Sequence, residues 1–180
     1  MTIITSEERA VAPTHWSIDR DGTSVEFTVK TFWGLMTVHG CFDRFEGSYE
    51  LGPSGTTIEL TIDADSLDTG HATRDKHLRS TDFFDVVKHS HVRFTSTRVH
   101  HVASEILHVV GHLEVAGIAE PLEFAVTVQP AGDGLAVEAR TTVDQGRFGM
   151  SSGLLGMIRR PATLHVEALL KRDPDGGHHD

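Results

Sequence analysis

Residues able to do chemistry concentrate in one stretch, Ser66–Asp85, which reads SLDTGHATRDKHLRSTDFFD. It holds two histidines, four aspartates, two arginines and a lysine, and includes the apolar pair Phe83–Phe84. Such residues could ligate a metal, move a proton, or form the polar top of an apolar segment. On a helix, His71 and Asp75 are neighbours one turn apart, a contact that could support acid–base work. His77, six positions after His71, is out of phase with it, so the two histidines do not form a common ligand set. A capped, salt-bridged surface helix accounts for the same residues.

The thirteen histidines raise the metal question elsewhere too. His108 and His112 have a helical ligand spacing, but they lie in an alternating stretch. On a strand, residues four apart share a face at roughly 13 Å, too far for one zinc ion. His100 and His101 are adjacent and point to opposite faces of a strand. His89 and His91 would share a strand face at close range and need a third ligand from elsewhere. His178 and His179 belong to a patternless tail. Cys41 and His39 would also share a face, a conceivable thiolate pair, although a lone cysteine is more often a small buried apolar residue. No phosphate-cradling glycine loop and no nucleophile elbow occurs. The enzyme reading therefore reduces to a metal-dependent or acid–base site built from His71, Asp75, His77 or the His89/His91 pair.

The elements that must position these residues follow from periodicity. Val25, Phe27 and Val29 share one face of TSVEFTVK, and Ile58, Leu60 and Ile62 share one face of TTIELTIDA. HVRFTSTRV, EILHVVGHLEV, PLEFAVTV, LAVEARTTV and ATLHVEALL repeat the pattern. Alternation of this kind indicates half-buried strands, about eight to ten with the Trp16 and Trp33 segments. Asp21–Gly22, Gly52–Gly55 and Gly132–Gly134 supply turn chemistry between them. Only Ser66–Asp85 breaks the alternation, where Asp68 or Thr69 could cap a helix over His71–Arg79. Ser80–Asp82 could then start a second turn. Residues 1–12 and 173–180 carry no pattern and are expected to be disordered, flanking one domain over 13–172.

The 180 residues carry a formal charge of −10, a sign that disfavours nucleic acid and anionic lipid surfaces. No run approaches the roughly 18 apolar residues of a membrane span. Glu7 and Glu8 interrupt any apolar leader, so a cytoplasmic location is expected. The single cysteine excludes an internal disulfide.

The motifs resemble those of the YceI-like family. WSID, SVEFTVK and VHGCFDRFEGSYEL come first, with Val38, Gly40, Phe42, Phe45 and Gly47 carrying a V-x-G-x-F-x-x-F-x-G pattern. The opening stretch is similar to the family's S-[IL]-D-T…R-D-x-H-L-x-S-x-D-F-F-D. VRFTST, VVGHLEVAGIAEPLEF and Arg147-Phe148-Gly149 extend the likeness over about residues 14–171. The resemblance implies an all-β fold: an antiparallel lipocalin-like β-barrel of about eight strands, with a short helical insertion near residues 70–85. It further implies a non-catalytic protein that binds a polyisoprenoid, an isoprenoid quinone or another long-chain lipid, with no cofactor beyond that ligand. Family members often pair, which makes a homodimer an expectation. Ligand-facing candidates are Phe27, Val29, Trp33, Phe42, Phe83, Phe84, Phe94, Leu113, Phe124 and Phe148, with Arg74, His77 and Arg147 for a polar end. Periodicity leaves open whether the interior is vacant or filled by side chains.

Overall fold

In the computed structural model the described residues are 14–31, 36–150 and 161–173. They form β1 (Thr14–Thr31), β2 (Met36–Phe42), β3 (Phe45–Gly52), β4 (Gly55–Asp63), β5 (Leu67–Asp68), α1 (Ala72–Leu78) and β6 (His91–Ala103). β7 (Ile106–Val115), β8 (Ile118–Ala131), β9 (Gly134–Val143) and β10 (Ala162–Arg172) follow. Eight of the strands close a ring in the order β1, β3, β4, β6, β7, β8, β9, β10, because β1 pairs with both β3 and β10. The remaining two extend the wall: β2 pairs with β1, and β5 adds two residues to β2. The result is the antiparallel barrel that the alternation and the family resemblance imply.

β1 changes partner along its length. Thr14–Ser17 pair with β3 and Glu26–Thr31 with β2, while the register to β10 slips between Asp19 and Ser24. Asp21 and Gly22 therefore lie within one bulged strand, a correction to their reading as a turn between strands. The reason is local bonding. Thr23 Oγ1 donates to the Asp19 carbonyl at 2.7 Å and accepts the Leu169 N–H at 3.2 Å, and Lys171 meets Asp19 at 2.7 Å. The extra residues are thus fastened to β10 and bend the strand without ending it.

Inner and outer faces follow the period of two. Val25 and Phe27 are buried while Glu26 is exposed; on β7, Leu107, Val109, Leu113 and Val115 are buried while His112 faces solvent. Two glycines make room for aromatic rings on the inner face. A Cβ on Gly40 would lie 2.2 Å from Cζ of Phe27, its register partner. One on Gly111 would meet the Thr95 carbonyl oxygen at 2.3 Å and Phe94 Cζ at 2.7 Å. The glycine of the V-x-G-x-F pattern is there because a phenylalanine ring lies across it.

The expected disordered ends fall outside the described residues except for Asp173, which is tied down. Its carboxylate accepts from the Ser17 hydroxyl at 2.9 Å and lies 2.6 Å from His15 Nδ1, and its N–H donates to the His15 carbonyl. The Trp33 segment and Gly153–Ile158 lie outside the described residues.

Gly111→Ala should lower unfolding stability by about 1–3 kcal/mol in urea titrations, because the backbone oxygen at Thr95 cannot yield as a side chain could. An unchanged midpoint would contradict this packing. The hydrogen bonds from His15 and Ser17 hold the Asp173 carboxyl below its ordinary value of 3.8. A depressed carboxylate pKa stabilises the fold above the unfolded value, and that contribution is lost as pH falls through the folded one. Asp173→Asn should therefore be less stable than wild type at neutral pH, with the gap closing below about pH 3.8; a gap of constant size down to pH 2 would refute the linkage.

Candidate functional site

The barrel interior holds an apolar cavity of about 220 Å³. Phe27, Val29, Phe42, Phe83, Phe84, Phe94, Leu113, Phe124 and Phe148 all contribute to its wall. The void comes from an imbalance of side-chain size. Aromatic rings crowd one side, with Phe27 and Phe42 at 5.6 Å and Phe94 and Phe124 at 5.2 Å between centroids. On β8, β9 and β10 small residues also line the void. Val126, Ala139 and Val166 form one cross-strand row, and Val128, Val137 and Ala168 form the next. These residues, with Tyr49, Leu164, Leu170 and Met150, also line the void and were not singled out from the sequence. Their signal lay in the small inner positions of LAVEARTTV and ATLHVEALL, which mean nothing until register aligns them.

Charge is nearly absent from the wall. Glu26 and Glu59 border the cavity, but both are exposed, and alternation turns their carboxylates outward. Ser48, Thr141 and Gln145 are the other polar contributors among the described residues, together with Tyr49, whose hydroxyl burial keeps above its ordinary pKa.

The polar stretch holds a plug in place. α1 spans Ala72–Leu78 and is capped by His71, whose Nδ1 accepts the Arg74 N–H, rather than by Asp68 or Thr69. Buried Asp75 accepts from the Thr69 N–H at 3.0 Å and from its hydroxyl, while Arg74 donates Nε to Thr69 Oγ1 and Nη2 to the Thr69 carbonyl, each at 2.7 Å. Arg79 donates Nε to the Asp65 carbonyl at 3.1 Å and Nη2 to the Leu67 carbonyl. These bonds fix the segment so that Leu78, Phe83 and Phe84 face the cavity, with Phe84 edge-on to Phe42 at 5.9 Å.

Arg74, His77 and Arg147 do not line the cavity. Arg74 is bound to Thr69; exposed His77 lies 3.6 Å from Asp82 and edge-on to Phe83; Arg147 is paired with Glu120. Trp33 falls outside the described residues.

The other chemical candidates separate likewise. His89 precedes β6 and packs against Gly117, whereas His91 opens β6 with Nδ1 2.8 Å from the Ser90 hydroxyl, so the two do not form the expected strand pair. His39 Nδ1 lies 3.2 Å from the Thr28 hydroxyl. Burial, then the carboxylates of Asp43, Asp68 and Glu26, push the Cys41 thiol up, the opposite of nucleophile activation. Register brings together His100 and His108, whose rings lie 5.0 Å apart, a proximity that spacing could not reveal. Glu138, His165 and Glu167 form the one metal-compatible group among the described residues. It sits on the outer face, where His165 Nε2, at 3.2 and 3.6 Å, lies between two carboxylates that register sets opposite each other.

A closed antiparallel eight-stranded barrel with a nearly uncharged void has the architecture of a lipocalin-like β-barrel. The chain belongs to the YceI-like family: residues 16–169 match the YceI-like domain. A UPF0312 protein of Pectobacterium atrosepticum is 33% identical over 166 residues, covering 86% of this chain and 83% of that protein. The crystal structure of Burkholderia cenocepacia BcnA has the same fold, with TM-score 0.76 and 18% identity over 84% of this chain and 98% of that one. A polyisoprenoid binding domain from Saccharophagus degradans, implicated in plant cell wall breakdown, superposes with TM-score 0.72 at 16% identity over 88% and 98% of the two chains.

If Asp75 acts as the anchor of the plug, Asp75→Ala should cost about 1.5–3 kcal/mol, the range for hydrogen bonds to a charged group. Amide exchange at Thr69 should quicken with it. Wild-type stability together with unchanged exchange at Thr69 would show that the segment is held by its phenylalanines alone.

Proposed function

We propose that this protein binds, carries or sequesters a long-chain amphiphile, a polyisoprenoid, an isoprenoid quinone or a similar lipid, in the barrel interior and without catalysis. The observation that carries the reading is the apolar void itself. An ordered water needs two to four polar partners, and most of this wall supplies none. Hydrocarbon entering it gains roughly 0.8 kcal/mol per buried CH₂. About ten such groups give on the order of 8 kcal/mol before ordering costs, so micromolar binding requires a chain that buries more groups than these. The likeness of fold to a polyisoprenoid binding domain supports the choice of ligand class. The reading needs no cofactor, because the lipid is the ligand. Against an acid–base site at His71, Asp75 and His77 stands the use of those side chains as cap, anchor and surface pair.

Organic extraction of purified protein followed by mass spectrometry should release a long-chain lipid, and stripped protein should take up added polyprenol. Ala139→Phe puts a ring into the space opposite the aromatic wall. It should lower polyprenol uptake at least tenfold, roughly 1.4 kcal/mol, while the unfolding midpoint stays at or above that of wild type. Clean extracts with no uptake by wild type, or full uptake by the filled variant, would remove the void from the function.

A further inference from the structure

The outer surface of the barrel carries a group of side chains that the interior does not use. Glu138 on β9 and Glu167 on β10 are register partners, so two like charges stand directly opposite each other, an arrangement that destabilises a sheet. Their other cross-strand neighbours are the uncharged Thr127 on β8 and Ser24 on β1. Among the described residues no lysine or arginine forms an ion pair with either carboxylate. His165 shares the outer face of β10 with Glu167, and its Nε2 lies 3.2 Å from Glu138 Oε1 and 3.6 Å from Glu167 Oε1. It is flanked by Glu26 on β1 and Arg140 on β9, whose formal charges cancel.

One imidazole nitrogen cannot serve both carboxylates. As a donor it has a single hydrogen, and 3.6 Å is beyond hydrogen-bond range. Unprotonated, its lone pair faces two anions. A cation resolves both conflicts at once. Ligand atoms about 2.0–2.2 Å from a tetrahedral zinc lie about 3.3–3.6 Å from one another. The two distances from His165 have that size, and one ligand atom from each of the three residues lies within 4.8 Å of the others. Small rotations of two exposed glutamates close the set.

The geometry points to a divalent transition-metal site on the outer wall, zinc being the ion that fits it. The ligands are His165 Nε2 and one oxygen each from Glu138 and Glu167, with the fourth position open to solvent. An imidazole beside two carboxylates suits zinc better than calcium or magnesium, whose sites are built from oxygen. The ion joins β9 to β10 from outside, on the reverse of Val137, Ala139, Val166 and Ala168, which line the cavity. It needs nothing from the interior, so it stands whether or not a lipid is the guest.

The test offers zinc chloride to chelator-stripped full-length protein in which His178→Ala and His179→Ala remove the terminal pair as a rival. In competition with a chromogenic zinc chelator this parent should hold one equivalent of zinc. Glu138→Gln and Glu167→Gln should each weaken binding at least about tenfold, since loss even of a group that only supports a ligand commonly costs about 10–100-fold. Both positions are exposed, and relieving the like-charge pair should leave the metal-free variants at least as resistant to urea as the parent, which separates lost binding from lost fold. Zinc should raise the urea midpoint of the parent but not of Glu138→Gln, and should move the imidazole resonances of His165, assigned with His165→Gln. Joint replacement His100→Ala and His108→Ala removes the other close histidine pair and should leave zinc binding unchanged. No stoichiometric uptake, uptake undiminished in either glutamine variant, or uptake lost with His100 and His108 would overturn the site.

Discussion

The void depends on where small side chains fall once the sheet has closed. An eight-stranded ring encloses about as much space as its own inward side chains can fill. Here the phenylalanines of β1, β2, β6 and β8 claim their share, while valine and alanine in cross-strand rows on β8, β9 and β10 fill less of theirs. Close packing elsewhere makes the gap persist, since the aromatic side is fixed by rings lying over Gly40 and Gly111 and cannot lean across to close it. The apolar character of the cavity follows from the side chains that line it.

The charged stretch between β5 and β6 serves the same void from outside. A segment that presents Leu78, Phe83 and Phe84 inward leaves the ladder, so its backbone polar groups need partners that a strand would have received from its neighbour. Arg74, Asp75 and Arg79 supply them by binding Thr69, Asp65 and Leu67. What reads as catalytic density along the chain is, in space, a set of clamps on main-chain atoms. The geometry accounts for the paradox of so many ionisable groups beside so apolar an interior.

Alternation made the strands and their buried faces legible, because a period of two is a local property. The aromatic wall was legible for the same reason: Phe27, Phe42, Phe94 and Phe124 fall on inner positions of clear alternating runs. The bulge in β1 was not, since Asp21–Gly22 carries turn chemistry and only the bonds to Leu169 and Lys171 keep the strand whole. The vacancy of the interior and the pairing of His100 with His108 were beyond reach for a different reason. Both depend on which residue of one strand stands beside which residue of another, and a single sequence holds no record of register.

The two kinds of attachment around the cavity also differ in what it takes to open them. Each stave of the ring is joined to two neighbours by ladder hydrogen bonds over part of its length; β8, for example, pairs with β7 over Ile118–Thr127 and with β9 over Val126–Ala131. Parting two staves breaks several such bonds at once and exposes their backbone groups. Withdrawing the plug breaks no rung. It disrupts side-chain bonds to Thr69, Asp65 and Leu67 and the contact between Phe42 and Phe84. Local opening follows the elements with the fewest cooperative bonds, and among the described residues the α1 segment is held by side-chain bonds where the strands are held by ladders. The strands and the α1 segment thus bound the same cavity by two different kinds of bond.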